Sequence, residues 1–328
     1  MMVKLQDVAD TAGVSISTVS KILNNDTTLS VSETTRQRVL GVAKLLKYRR
    51  KSSQSPQRYA IISSIEIFRA KSDYHYQALR SMIETVATSM GITAQTVVFK
   101  SNTQPRLSGF DGILALGHFT DQQIQYLIDS EVPVVSVGEN LFSSGIDSII
   151  SDLDTPVAQA IDHFRKTGQD DIGILARHEN VKDSDGLDDP WTRAVLKHLR
   201  RGGIYSKDRI FCGSYGPEAG FDLMNQAIEA CGDNLPHVFL VWDDSMAIGA
   251  LRALKQSKIK VPQRVSLVGT DDIDIAKYTQ PALSTIRVHN ESMVEQALQM
   301  LFDHPKDQSL IPKLVIVGTK LIQRESSL

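Results

Sequence analysis

Cysteine is nearly missing from this 328-residue chain: Cys212 and Cys231 are its only two, and neither sits in a CxxC pair or a Cys/His cluster. A disulfide framework or a structural metal site is therefore not expected, and the two thiols suit a reducing cytoplasm. Long apolar runs are missing too. No stretch approaches the roughly 20 residues that a membrane helix needs. The first residues open into an amphipathic helix, not the basic–apolar–small pattern of a secretory signal, so the expected location is the cytoplasm. Catalytic signatures are also wanting: there is no GxSxG, HExxH, Walker A or GxGxxG, and the eight histidines are scattered. Neither an enzyme nor a cofactor or metal is expected.

What is present is ordinary in amount and uneven in distribution. A hydrophobic fraction of 41% with 23% charged residues describes a globular protein, and the length suggests two or three domains. The net charge of −2 conceals a split. Residues 1–58 hold ten Lys/Arg against four Asp/Glu, whereas residues 59–328 hold 26 against 34. A basic head on an acidic body is the electrostatic footprint of a nucleic-acid-binding domain joined to a different partner domain.

Within that head, Leu5 to Asn25 reads as two short helices. Leu5, Val8, Ala9 and Ala12 share one face of the first, and Val19, Ile22 and Leu23 form the buried stripe of the second. Between them, Gly13 can take a positive φ and Ser15 is placed to cap the second helix. A third amphipathic stretch, about Ser32 to Leu46, supplies Val39, Val42, Ala43 and Leu46 to complete a small core. A common αα-hairpin would share this outline. The second helix, however, keeps Ser15, Ser17, Thr18, Ser20 and Lys21 off its apolar stripe, where a merely solvated face usually carries Glu and Lys pairs. This is the helix-turn-helix layout, whose second helix enters the major groove.

Asp7-Val8-Ala9, Ala12-Gly13-Val14-Ser15, Thr18-Val19-Ser20-Lys21 and Asn24 resemble the head of the LacI/GalR family of bacterial transcriptional repressors, without a gap. The resemblance implies a regulator that binds a pseudo-palindromic DNA operator as a homodimer or tetramer. Ile16, Ser17 and Lys21 are then expected to read base edges. Ser15, Thr18, Ser20 and Asn24 are expected on phosphates, joined by Tyr48, Arg49, Arg50 and Lys51 of the following segment. Residues 49–58 form a basic linker closed by Pro56. In the family this segment often folds into a hinge helix that wedges a leucine into the minor groove; no leucine is present here.

From Tyr59 onward, apolar β-prone runs alternate with helical stretches, which argues for parallel sheets flanked by helices. The expected fold is an all-α helix-turn-helix head (1–48), a linker (49–58) and an α/β two-lobed body (59–328). The resemblance implies a periplasmic-binding-protein-like body whose late segment returns to the first lobe, giving a first lobe of about 59–155 and 284–314 and a second of about 156–283 and 315–328.

Open α/β sheets bind ligands beyond the carboxyl ends of their strands. Four places qualify: Gly117-His118, Gly138-Glu139-Asn140, Asp243-Asp244 and Asp271-Asp272. An acid before a helix is as often an N-cap, a reading that falls on Asp244 and Asp272; Asp243 and Asp271 are the better ligand candidates because they match polar pocket positions of the family. Phe239–Ala253, Val265–Asp272 and Pro281–His289 follow the family pattern; the last, with Asp73-Tyr74-His75-Tyr76 and Ala78-Leu79-Arg80, looks closest to the galactoside-operon repressor subgroup. The implied effector is a small molecule, a sugar, held by His75, Tyr76, His118, Trp191, Arg193, Trp242, Asp243 and Asp271. Two departures qualify this. Trp191 stands where the family usually has a sugar-clamping arginine, and Gly138 where an aspartate is common. A purine- or nucleoside-sensing regulator, or one that has lost its sensing, would share the same architecture.

Overall fold

The computed structural model describes residues 5–23, 31–46, 57–64, 74–99, 104–177, 189–304 and 311–328. They fall into two compact units, an N-terminal head and a larger α/β body.

The head contains α1 (Leu5–Ala12), α2 (Ile16–Leu23) and α3 (Glu33–Leu45). Val8, Ala9, Ala12, Val19, Ile22, Val39 and Ala43 are buried together, with Leu5, Val14, Leu23, Val42 and Leu46 packed around them. Gly13 adopts φ +65, and Val14 N–H returns to Ala9 O at 3.1 Å, which closes α1. Ser15 Oγ then accepts from Thr18 N at 3.1 Å and opens α2. Ser32 repeats the device for α3, accepting from Thr35 N. So small a core survives because both turns satisfy the backbone groups that its short helices leave open.

The body holds two six-stranded sheets. The strands of the first are β1 (Arg58–Ser64), β2 (Thr93–Phe99), β3 (Gly112–Leu116), β4 (Val134–Val137), β5 (Asp147–Ser151) and β11 (Leu314–Val317). Those of the second are β6 (Ile172–Arg177), β7 (Ile210–Gly213), β8 (Val238–Val241), β9 (Ser266–Asp271), β10 (Ser284–Arg287) and β12 (Lys320–Ile322). Their orders are β11-β5-β4-β3-β1-β2 and β12-β10-β9-β8-β6-β7. Pairings β1–β3, β3–β4, β4–β5 and β5–β11 are parallel, as are β6–β7, β6–β8, β8–β9 and β9–β10, while β12 runs antiparallel to β10. Both lobes thus reverse strand order after their first strand, and each has a switch point, at β1/β3 and at β6/β8.

Helices cover the sheets. The first lobe carries α4 (Tyr74–Ser89), α5 (Asp121–Asp129) and α10 (Asn290–Asp303). The second carries α6 (Asp154–Lys166), α7 (Pro190–Arg201), α8 (Pro217–Cys231) and α9 (Asp244–Gln256). Along β6 and β8 alternate residues go to opposite faces. Ile172, Ile174, Val238 and Leu240 meet α6 and α7, while Leu175, Phe239 and Val241 meet α8 and α9. The α8–α9 packing is intimate. A Cβ on Gly249 would lie 1.8 Å from Pro217 O, and one on Gly220 would lie 2.0 Å from Met246 O.

Two assignments differ from the sequence expectation. Ser284–Arg287, expected in the first lobe, is β10 and pairs with β9 in the second sheet. Residues 315–317, expected in the second, belong to β11 on the edge of the first. The chain changes lobe after the strand, so the boundary falls between β10 and α10 and between β11 and β12. There are three such passages, 152–153, 288–289 and 318–319, each two residues long and each leaving the carboxyl end of a strand. Two of them are tied together by hydrogen bonds: Asp152 N donates to Val317 O at 2.8 Å, and Thr319 Oγ1 donates to Asp152 O. The carboxyl edges of both sheets therefore converge on these crossovers.

Candidate nucleic-acid interface and effector site

Burying Val19 and Ile22 fixes which face α2 turns outward. Ile16 is 43% exposed, and Ser15, Ser17 and Lys21 are exposed with it. Thr18 and Ser20 are half-buried at the flank. At the start of α2, Ser15 Oγ lies 2.8 Å from both Ser17 Oγ and Thr18 Oγ1, so a cluster of hydroxyls crowns the positive end of the helix dipole, an arrangement suited to a phosphate. Asn24, Tyr48, Arg49, Arg50 and Lys51 lie outside the described residues.

At the carboxyl edge of the second sheet several side chains come together. Arg177, the last residue of β6, stacks on two rings, its guanidinium carbon 5.0 Å from the centre of Tyr215 and 5.2 Å from that of Trp242. Trp242 Nε1–H donates to Asp189 Oδ1 at 3.0 Å. The same oxygen caps α7 by accepting from Trp191 N and Thr192 N, each at 3.0 Å. Asp189 Oδ2 is buried with no hydrogen-bond partner among the described residues.

At the first lobe's carboxyl edge, His118 follows β3 and is exposed, its Nδ1 3.5 Å from Glu139 Oε1. Glu139 Oε2 is likewise buried without a hydrogen-bond partner among the described residues. Among the described residues, each lobe therefore presents a carboxylate oxygen that lacks a donor, beside a ring or an imidazole. Such sites favour a ligand that carries several hydroxyls and an apolar face.

Around Asp243 and Asp271 the structure redistributes the expected roles. Asp243 is the N-cap of α9, accepting from Met246 N at 2.6 Å. Asp244, expected to be the cap, is fully buried. Asp272 caps nothing and accepts from Arg287 Nε and Arg324 Nη2, each at 2.6 Å. Burial alone would raise the Asp272 carboxyl, but hydrogen bonds from Arg324 and Arg287 outweigh it and hold the group below the usual carboxylate range. Asp271 closes β9 half-buried, at φ +106.

Trp191 does not join the site. It is 3% exposed and lies in the core with Ala194, Val195 and Leu199. Those positions recur at helical spacing on the inner face of α7, so stacking on a ligand is excluded by packing. Arg193 is exposed one step round the same helix. His75 and Tyr76 fall in the first turn of α4, and their side chains lie outside the described parts of the molecule. Arg177, Tyr215 and Asp189 were not among the sequence candidates. They are far apart in the chain, and only the β6/β8 switch-point rule could have drawn attention to Arg177.

Fold and sites together define a DNA-binding regulator: a helix-turn-helix head followed by a two-lobed body of the kind that encloses small ligands. Residues 4–51 match the sequence pattern described as bacterial regulatory proteins, lacI family, and residues 161–327 match that of a periplasmic binding protein-like domain. The chain is similar to the HTH-type transcriptional regulator GalR of Lacticaseibacillus casei, 38% identical with 100% of each chain covered. It is similar also to GalR of Streptococcus thermophilus, 32% identical over 99% of this chain and 100% of that one. Among solved structures, the lac repressor dimer bound to operator and an anti-inducer superposes with a TM-score of 0.69 at 22% identity, covering 100% of both chains. A CelR–cellobiose complex gives 0.68 at 23%, covering 99% of this chain and 100% of that one. The chain belongs to the lacI family of bacterial transcriptional regulators.

Proposed function

We propose that the protein is a repressor of a sugar-utilisation operon that acts in the cytoplasm as a homodimer on a pseudo-palindromic operator and is not an enzyme. The functional units are the head (1–48), a basic linker (49–58) and the effector-binding and dimerisation body (59–328). Ile16, Ser17 and Lys21 read base edges, while Ser15, Thr18, Ser20 and Asn24, with Tyr48, Arg49, Arg50 and Lys51, contact phosphates and set the register. The effector is a galactoside-type sugar between the carboxyl edges of the two lobes. Trp242, Asp243, Asp271 and His118 face it, together with His75, Tyr76, Arg177 and Asp189. The observation that carries this reading is the pair of buried carboxylate oxygens, Asp189 Oδ2 and Glu139 Oε2, that have no donor among the described residues, one at each edge. A bound polyol would donate to both. By binding the two lobe arrangements unequally, it would shift operator affinity.

The test is fluorescence anisotropy on palindromes upstream of the protein's own and neighbouring genes. Each titration is repeated with galactose, lactose, melibiose, raffinose, sugar phosphates and purines. Tight binding altered by one galactoside is the expected result. Release by a purine alone would replace the sugar reading, and absence of any specific DNA binding would end the repressor reading. In the same assay Lys21→Ala should weaken operator binding by about 1–3 kcal/mol. An equal loss on random DNA would reassign Lys21 to a phosphate.

A further inference from the structure

Asp244 follows the capping Asp243 and turns its carboxyl into the interior of the second lobe. It is the first residue of α9 and is fully buried. Its Oδ1 accepts from Thr285 Oγ1 at 2.6 Å, and its Oδ2 from Ile273 N at 2.9 Å. Thr285 Oγ1 in turn accepts from Asp272 N at 3.3 Å. A Cβ on Gly269 would lie 2.2 Å from Asp244 Oδ1, so β9 is bare at the one point where the carboxyl lies against it. Burial, then the nearby Asp271, push the Asp244 carboxyl well above the usual carboxylate range, partly offset by the bonds from Thr285 and Ile273.

The segment held this way is strained. Asp271 and Asp272 are consecutive non-glycine residues at φ +106 and +57. Each such residue costs on the order of 1–3 kcal/mol and persists only where its surroundings over-determine it. Here they do: the N–H of 272 is taken by Thr285, the N–H of 273 by Asp244, and the Asp272 carboxylate by Arg287 and Arg324. When ionised, a carboxyl offers two acceptors to these two donors. An amide would offer one, and an aliphatic side chain none.

We propose that Asp244 is a positioning residue: with Thr285 it clamps the backbone of residues 272 and 273 and so fixes the direction in which Asp271 leaves β9. The functional part of this rests on the reading that the carboxyl edge of the second lobe holds the effector.

The test uses the full-length chain with Asp244→Asn, Thr285→Val and Thr285→Ser. Hydrogen exchange over residues 268–276, followed by mass spectrometry, reports the clamp without any ligand. Loss of one bond should speed exchange at 272 and 273 on the order of tenfold in Asp244→Asn and Thr285→Val. Protection of 238–241 should stay as in the wild type, and so should Thr285→Ser throughout. No change in Asp244→Asn, or a loosening shared equally by 238–241, would overturn the proposal. Tryptophan emission during titration with galactose, lactose and melibiose then reads the consequence. A sugar that binds the wild type should bind Asp244→Asn on the order of tenfold more weakly, with Thr285→Ser at the wild-type value. Unaltered sugar affinity in Asp244→Asn overturns the positioning role even if exchange is faster. Faster exchange together with a wild type that ignores all three sugars supports the clamp and overturns the sugar reading instead.

Discussion

The two tryptophans stand in different settings. Trp191 fills the core beneath α7 and Trp242 lies half-buried at the carboxyl edge of β8. Trp191→Ala should cost about 3–5 kcal/mol by urea unfolding, as expected for a large side chain removed from a packed interior. Trp242→Phe should unfold close to the wild type yet lose any change of tryptophan emission on effector binding; a change that survives in Trp242→Phe would locate the reporter at Trp191. The acids divide in the same way. Asp272 has its folded pKa held down by Arg324 and Arg287, so its stabilisation is complete above the unfolded value of about 3.9 and is lost as pH falls through the lower folded value. Asp272→Asn should therefore lie furthest below the wild type in stability at neutral pH and converge on it in strong acid. Denaturant unfolding at pH 7 and pH 3 measures this, and a gap that stays constant would show that the arginines do not act through the charge. Asp243 and Asp244 show why such roles escape the sequence. Both readings, cap and ligand, were visible there, but a helix that starts one residue earlier, at Asp244, exchanges them.

Among the helices and strands, legibility followed burial. β3 (GILAL) and β8 (VFLV) are buried along their whole length and read as unbroken apolar runs, as central parallel strands do. β7, β10 and β12 did not stand out. β7 and β12 lie at sheet edges where half their surface meets solvent. β10 is four residues long, with buried Ser284 and Thr285 that work by hydrogen bonding rather than by hydrophobicity. The head was legible because a glycine at φ +65 and a capping serine leave a mark at fixed spacing. Helix packing leaves a fainter one: nothing local says that Gly220 and Gly249 lie at one crossing. Gly249→Ala would put its Cβ against backbone at Pro217 O, which no side-chain rotation relieves. An overpacking penalty of at least about 1–3 kcal/mol is expected in urea unfolding. A variant as stable as the wild type would show that α8 and α9 can part.

Across the chain as a whole, opposite charges are kept apart, with ten Lys/Arg against four Asp/Glu in residues 1–58 and 26 against 34 in the remainder. Operator affinity should accordingly fall steeply with salt, by ~10³–10⁵ between 50 and 200 mM if roughly 6–10 phosphates are neutralised. Replacing Arg49, Arg50 and Lys51 by Gln should reduce the log–log slope by about 0.9 for each phosphate that is no longer neutralised. An unchanged slope would remove the linker from the interface. The charge that attracts a polyanion is thus carried by the head, and the remainder carries an excess of the opposite sign.

The three crossovers also set an order of birth. Synthesis runs from the head towards residue 328, so the three-helix head is complete early. The first sheet, by contrast, lacks its edge strand until residues 314–317 have been made, and the second lacks β12 until residues 320–322. At ~5–20 residues per second the interval is tens of seconds. For that time each new molecule carries a finished helix-turn-helix head and an unfinished body. Under the proposed function, effector control over the head is acquired later than the head itself.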